Sequence, residues 1–571
     1  MSPMTAFDGA VGIVGAGPVG LSCALRLASF GVPNVVLEAD PTLVKQGSKA
    51  CLIQGDVLDI LDKFGCAEEV AKEGVTWDTA RTYVRGSEIE KRLYPRPPGY
   101  GPFVNISQYR VQQVLLEHLA RSSLAEVRWS HRVFDVSQDE EGVTVHVATP
   151  DGSSLMRFPY LVGCDGIRSE IRELVGAEWL GYTHRDRFLI TDIRASLPLA
   201  HERHFHYDPP SNPGRQLVMH AQPNDVWRID WQLPPDVNIA EERRTGALEQ
   251  RIRAVVGDAS YEIDWLSTYR FCQRCVDQMR VERVFLAGDA AHALPPYGAR
   301  GMNSGIQDVD NLAWKLALVL EGRADESLLD TYHPERHSAA LENLRITEAT
   351  IKFMVPPNRA QRLGRNLLLR VSRPVKRLRR RVNSGTMAEP FTYADSSLVD
   401  TSEQHALLGA LAPDFYASVG GATRRLRTLL GETLVLLYFA ADINSARQLV
   451  DATRAVCSAS GVRLIVVLPP GAEMGGVTLA GATVVRDEDP SRSAVYGGAP
   501  RCFILRPDGH VAAARMRLAT EQLEHLLRVC AHFRAAPPRA SSGVAAPGRM
   551  HLVAPPPSAQ PPAEQRRPAA E

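Results

Sequence analysis

The ten residues Val11–Gly20, VGIVGAGPVG, constrain this chain more than any other stretch. Four apolar residues form a short buried strand, and glycines at a GxGxxG spacing follow it. LSCALRLASFG then has helical periodicity and stops at Gly31, a C-cap residue. NVVLEAD reads as a second buried strand, ending at Glu38. The result is a β-α-β unit whose glycines have separate tasks. Gly15 permits the tight turn, Gly17 lets the backbone approach a pyrophosphate, and Gly20 lets helix and sheet pack closely. The exposed amides and positive end of this helix favour phosphate. Glu38 lies eighteen residues after Gly20, where an acid can bind both ribose hydroxyls of an adenosine. FAD and NAD both satisfy this unit.

Two further strands end on a carboxylate. LVGCDGIRSEIR, Leu161 to Arg172, reaches Asp165-Gly166 and then starts a helix near Ser169 and Arg172. VFLAGDAAHALPPYGARGMNSGIQDVDNL, from Val284, reaches Gly288-Asp289 and crosses a loop of small residues before a helix that begins near Asn303. In VNISQYRVQQVLLEHL, Gln108 precedes an amphipathic helix.

Taken together and in this order, these motifs resemble the single-component (class A) FAD-dependent aromatic hydroxylases, typified by para-hydroxybenzoate and phenol hydroxylases, from about Val11 to about Asn343. The layout is similar to that of 3-(3-hydroxyphenyl)propionate hydroxylase-like enzymes. The resemblance implies FAD as resident cofactor, NADPH or NADH as transient reductant, and hydroxylation of a phenol through a C4a-hydroperoxyflavin. It implies that Asp289 binds the ribitol chain and that the loop Pro295–Asn303, including Gly301 and Met302, passes beside the flavin ring. Asp165 would sense FAD and the entering nicotinamide, and Gln108 would contact the flavin side of the site. Lys49 stands where relatives commonly carry an arginine near the pyrophosphate. Ala299 replaces a glycine of the family's GxGxN. Two other readings stand beside this one: a tailoring hydroxylase of a polycyclic or polyketide phenol, and a catalytically silent flavoprotein sensor or scaffold.

Flavin chemistry of this kind requires no protein nucleophile or metal, and the sequence names no substrate-deprotonating base. His292 and Arg300 are the weak candidates. His292 reads better as a hydrogen-bonded loop residue, and Arg300 is open between flavin environment and surface. His201, His204 and His206 cluster in HERHFHYDPP, but no cysteine or carboxylate completes a metal set. Cys272 and Cys275 form a lone CxxC without a helix after it.

Lys+Arg and Asp+Glu are both 65, which argues against a general polyanion binder and so against nucleic acid as partner. Nine scattered cysteines suit a reducing compartment. The N-terminus lacks the charged start and apolar core of a secretion signal. No apolar run is long enough for a membrane helix. A cytoplasmic homodimer is the expectation.

RFLITDIRASL, RQLVMHAQ and VWRIDWQLP alternate at period two and predict antiparallel strands, with TARTYVRG able to join them. Trp227, Trp231, Tyr269 and Phe271 are candidates for an aromatic pocket or for the core behind it. The expected fold is α/β: a Rossmann-like FAD-binding domain (1–180 and 275–353) with an inserted antiparallel substrate-binding sheet (181–274). A helical basic linker (354–404), a thioredoxin-like domain without CxxC (405–535) and a disordered Pro/Ala-rich tail (536–571) follow.

Overall fold

The computed structural model describes residues 9–44, 50–184, 187–270, 272–356, 358–372, 374–379, 382, 385–472, 479–498 and 500–534. Lys49, Phe271 and the tail expected at 536–571 lie outside them. The β-α-β unit opens a six-stranded sheet. Its order is Arg280–Val281, Val284–Leu286, Leu161–Gly163, Val11–Val14, Asn34–Leu37 and Ala125–Arg128. All neighbours are parallel except the first pair. The helix Pro18–Ser29 packs against both Gln108–Leu119 and Arg300–Leu320. The central strands are therefore apolar and buried apart from Asn34, whose amide donates to the Ala24 and Val32 carbonyls, as expected of parallel strands covered on both faces.

A second sheet has seven strands in the order Glu262–Tyr269, Arg187–Arg194, Val226–Leu233, Gln216–Gln222, Arg203–Tyr207, Thr79–Val84 and Ser87–Leu93. The last two come from far upstream, and Thr79–Val84 joins parallel to Arg203–Tyr207. Alternation places Leu189, Ile193, Leu217, Met219, Trp227, Ile229 and Trp231 in one core with Leu248, Ile252 and Val256 of the helix Ala247–Val256. The two tryptophans thus back the sheet. They do not line a pocket, because residues of their parity all face that helix.

The C-terminal sheet runs Ala422–Arg425, Tyr416–Val419, Ala482–Asp487, Arg463–Leu468, Val435–Phe439, Arg501–Leu505 and Val511–Arg515. Helices Ile443–Ser460 and Thr520–Ala531 accompany it. It packs on the first sheet's helices: Trp314 and Leu318 share a core cluster with Leu436, Val466 and Ile504. Among the described residues between these bodies, helix is confined to Arg359–Ser372 and Lys376–Arg379, and residues 385–412 run without it.

Candidate active site

Strand register explains why motifs far apart in sequence meet. Val14 lies opposite both Leu37 and Gly163, and Gly163 opposite Leu286. The chain therefore leaves the sheet along one line at Glu38, Gly15, Cys164-Asp165 and Gly288-Asp289. Ligands of such sheets collect at the carboxyl edge, and here one cavity of about 710 Å³ opens there. Gly15 has φ +103°, and a Cβ on it would meet the Cys164 carbonyl oxygen at 2.6 Å. A Cβ on Gly20 would stand 2.0 Å from the Gly15 carbonyl oxygen. A Cβ on Gly17 would meet no protein atom within 4 Å. Two glycines are thus needed by the protein itself, while the third leaves open space above a helix N-terminus. Glu38 is anchored there, accepting from the Ala16 amide at 2.6 Å and the Asp40 amide at 3.0 Å.

The Gly288-Asp289 turn is fixed from below. Asp308 accepts from the Gly288 amide at 3.0 Å, from His292 Nε2 at 2.7 Å and from Arg336 Nε at 2.7 Å. Burial pushes the Asp308 carboxyl up, but His292 and Arg336 outweigh it and hold it below its usual range. The Tyr332 hydroxyl donates to the Leu286 carbonyl at 2.8 Å. Arg172 donates to the carbonyls of Ala290 and Ile167, both at 3.1 Å, so it binds one carboxylate loop to the other. With this scaffold fixed, Asp289 is exposed to the cavity while Gly288 and Ala290 are buried. Asp165 also faces the cavity, and it accepts from Ser169 Oγ at 2.5 Å and from the Ile171 amide at 3.0 Å. It therefore takes up a free amide at the start of the short helix Glu170–Leu174, whose N-cap is Ser169, and burial raises its carboxyl.

The long helix begins at Arg300, earlier than the expected start near Asn303. Gly298 and Ala299 precede it with φ +79° and +53°. The second is a left-handed alanine, costing about 1 kcal/mol where a glycine would cost nothing. Asn303 is turned into the protein. It accepts from the Gln54 amide at 3.0 Å and donates to the Leu52 and Ala299 carbonyls at 3.0 and 2.7 Å. Arg300 is 2% exposed and so is no surface residue. It donates to Asn343 and the Thr386 carbonyl, and burial lowers it to about 10.

Of the residues expected at the cofactor, Gly15, Gly17, Pro18, Glu38, Gln108, Asp165, Asp289, Gly301, Met302 and Asn303 line the cavity, and Arg300 joins them. Gly20, Gly288 and Pro295 do not; Pro296 takes the place expected for Pro295. His292 is fully buried, absent from the wall and held by Asp308. His204 bonds Tyr83 and the Ala200 carbonyl, and the described residues contain no metal-ligating cluster. Cys272 and Cys275 sit three apart on one strand, hence on opposite faces, as free thiols.

The far end of the cavity is the other face of the second sheet. Phe188, Arg203, Val218, His220, Asp230 and Tyr269 line it opposite Tyr297. Arg228, on the same strand face as Asp230, is 1% exposed and donates Nε and Nη2 to Asp192 at 2.7 Å each. Sequence reasoning named the sheet and Tyr269 of this wall but missed its polar members, Arg203, His220 and Asp230. The signal was the alternation itself: once Trp227, Ile229 and Trp231 are assigned to the core, Arg228 and Asp230 must share the opposite face.

Comparison with known proteins agrees with this geometry. The family model described as "FAD binding domain" matches residues 8–347. Para-nitrophenol 4-monooxygenase of Pseudomonas sp. (strain WBC-3) is 33% identical over 371 residues, 63% of this chain and 90% of that protein. The 3-(3-hydroxy-phenyl)propionate/3-hydroxycinnamic acid hydroxylase of Comamonas testosteroni is 32% identical over 357 residues, 61% of this chain and 59% of that protein. The solved ternary complex of aklavinone-11 hydroxylase with FAD and aklavinone superposes with a TM-score of 0.73 at 25% identity, covering 92% of this chain and 99% of that one. The chain belongs to the FAD binding domain family, and within it to the single-component FAD-dependent aromatic hydroxylases.

Proposed function

We propose that this enzyme uses NAD(P)H and dioxygen to hydroxylate a phenolic ring, with FAD held along the carboxyl edge of the first sheet. The observation that carries the reading is the single cavity joining the glycine cradle, Asp165 and Asp289 to a sheet wall set with Phe188, His220, Asp230 and Tyr269. The donor set fits FAD. Open space at Gly17 and the helix N-terminus at Pro18 suit a pyrophosphate. Glu38 suits the adenosine ribose, and Asp289 suits the ribitol. When bound and reduced, FAD supplies activated oxygen; the protein supplies position, field and exclusion of water. Arg172, Asp308 and Tyr332 hold the two carboxylate loops rigid, and the N-terminus of Arg300–Leu320 points positive dipole at the loop Pro296–Ala299.

The phenol matches the substrates named for the Pseudomonas and Comamonas proteins. A polycyclic phenol is the second reading. Its support is that the aklavinone-11 hydroxylase structure matches nearly the whole chain, C-terminal sheet included. The order of that C-terminal sheet, with three parallel strands flanked by an antiparallel hairpin and a closing helix, supports a thioredoxin-like domain. It has no CxxC, so its role is support of the core or of a homodimer. The nine free thiols suit a cytoplasmic enzyme.

Purified protein should be yellow or take up added FAD, and a panel of phenols should stimulate NADH or NADPH oxidation with hydroxylated product exceeding hydrogen peroxide. Colourless protein that refuses FAD sinks the reading.

A further inference from the structure

Asp230 lies on Val226–Leu233, between Arg187–Arg194 and Gln216–Gln222, and its cross-strand neighbours are Ile190 and Val218. Neither side chain can donate a hydrogen bond. The nearest cation on its own face, Arg228, gives two N–H groups to Asp192. One guanidinium therefore faces two carboxylates, and Oδ1 of Asp230 is buried without a hydrogen-bond partner. An unmet buried acceptor costs free energy and calls for a ligand that meets it. Asp230 still faces the cavity, which Pro296, Tyr297 and Gly298 line from the opposite, flavin side.

We propose that Asp230 is a catalytic residue that accepts the hydroxyl proton of the phenolic substrate, an inference that rests on the function proposed above. The phenol O–H bond breaks, its electron pair stays on the phenolate oxygen, and a new O–H bond forms on Asp230 Oδ1. The charge of the site is unchanged, so the Arg228–Asp192 pair experiences the same net field before and after transfer. The phenolate is the more electron-rich ring for oxygen insertion. After insertion the C–H electron pair restores the aromatic ring, the released proton goes to the second oxygen atom of dioxygen, which the two electrons from the nicotinamide take to water, and Asp230 returns its own proton to the product oxygen.

The surroundings suit this task. Burial pushes the Asp230 carboxyl up, Arg228 opposes and Asp192 adds, leaving it at about 7. Cys51, from the segment before Leu52–Gln54, is pushed up to about 11 by burial. Burial holds Tyr269, from the strand Glu262–Tyr269, well above its ordinary value and His220, from Gln216–Gln222, well below its own. Those three groups stay neutral near pH 7 and Arg228 stays charged, so Asp230 is the member of this set that titrates there. A base is most effective when its pKa lies near the working pH.

The test uses the full chain loaded with FAD and 4-nitrophenol as probe, whose phenolate is coloured. In wild type the bound probe should ionise as Asp230 titrates. In D230N its ionisation midpoint should rise by about one pH unit or more, and phenol-stimulated nicotinamide oxidation at pH 7 should fall by about 100-fold. Flavin occupancy should not change, and D230E should restore ionisation of the probe. An unmoved midpoint in D230N, or no spectral change from the probe at any pH in wild type, overturns the proposal. Should D230N fail to hold FAD, wild type against D192N decides: loss of the neighbouring charge lowers the Asp230 carboxyl, so the probe's midpoint must shift, and equal midpoints overturn the proposal. A flavin-loaded wild type that no phenol stimulates overturns the function itself, whereas a stimulated wild type matched by D230N overturns only the role of Asp230.

Discussion

At the cofactor end of the cavity the wall is largely backbone: glycines, a helix N-terminus and two carboxylate turns at strand ends. At the sheet end it is side chain, with a guanidinium and two carboxylates closed into a face whose reverse is solid tryptophan and leucine. The first surface fits a ligand whose shape is set before binding and tolerates no added atoms. The second stores unsatisfied polarity that only a ligand relieves. Substitutions should therefore act differently at the two ends, on affinity at one and on charge at the other.

The largest effect on FAD binding is expected from Gly17→Val. A Cβ there meets no protein atom within 4 Å, so the fold should survive with an unchanged unfolding midpoint. The added methyls fill the pyrophosphate's place, and FAD affinity should fall on the order of 100-fold or more, equivalent to about 2.7 kcal/mol. Gly20→Ala is the contrast: its Cβ would sit 2.0 Å from the Gly15 carbonyl oxygen, so soluble yield should collapse along with flavin. If both variants lose flavin only by unfolding, the distinction between ligand space and packing space is wrong.

Asp289→Ala comes next. Asp289 is the exposed residue of a turn otherwise buried, so its removal leaves the scaffold of Asp308 and Arg172 intact. Loss of charged hydrogen bonds to the ribitol should weaken FAD by about 1.5–3 kcal/mol, read by flavin titration of the apoprotein. Wild-type flavin retention would count against the assignment.

The same contrast decides how much was legible in the sequence. The cradle is local: Gly15, Gly17 and Gly20 with Glu38 declare a β-α-β unit within thirty residues, and Asp165 and Asp289 repeat the strand-end signal. The sheet wall is not local. The alternation of VWRIDWQLP sets Arg228 and Asp230 on one face, but charged residues are rarely buried, and that this polar face is enclosed too emerges only once the helix Ala247–Val256 is seen to cover Trp227 and Trp231 on the other. Asp308 and Arg336, which pin the Gly288 turn, lie on two different helices, and no spacing rule pairs them. The start of the long helix was misjudged because Ala299 takes a left-handed conformation that glycine usually supplies.

Asp192→Asn tests whether the sheet wall is a charge device. Removing one partner of a buried pair leaves Arg228, 1% exposed, facing Asp230 alone. Stability should drop by about 3 kcal/mol in urea unfolding. The Asp230 carboxyl should also fall from about 7, because a neighbouring negative charge is gone and Arg228 becomes available to it. An Asp230 titration that stays put would show that burial alone sets it.

The smallest effect is also the one that separates function from stability. The Asp230 carboxyl rises from 3.8 to about 7 on folding, so its neutral form is the one the fold favours. Relative to a residue that never ionises, its contribution is fully present below 3.8 and is lost as pH rises to about 7. In full such a shift is worth about 4 kcal/mol. Water on the cavity side screens the carboxylate, and about 2 kcal/mol is the expected size. D230N should therefore be more stable than wild type at pH 8 by that amount, with the gap closing as pH falls below 4. Urea midpoints measured across this range would show it. A variant that is less stable than wild type at pH 8 would mean that the carboxylate is held by the fold as a structural anion, and the sheet wall would then resemble the cofactor end more than it differs from it.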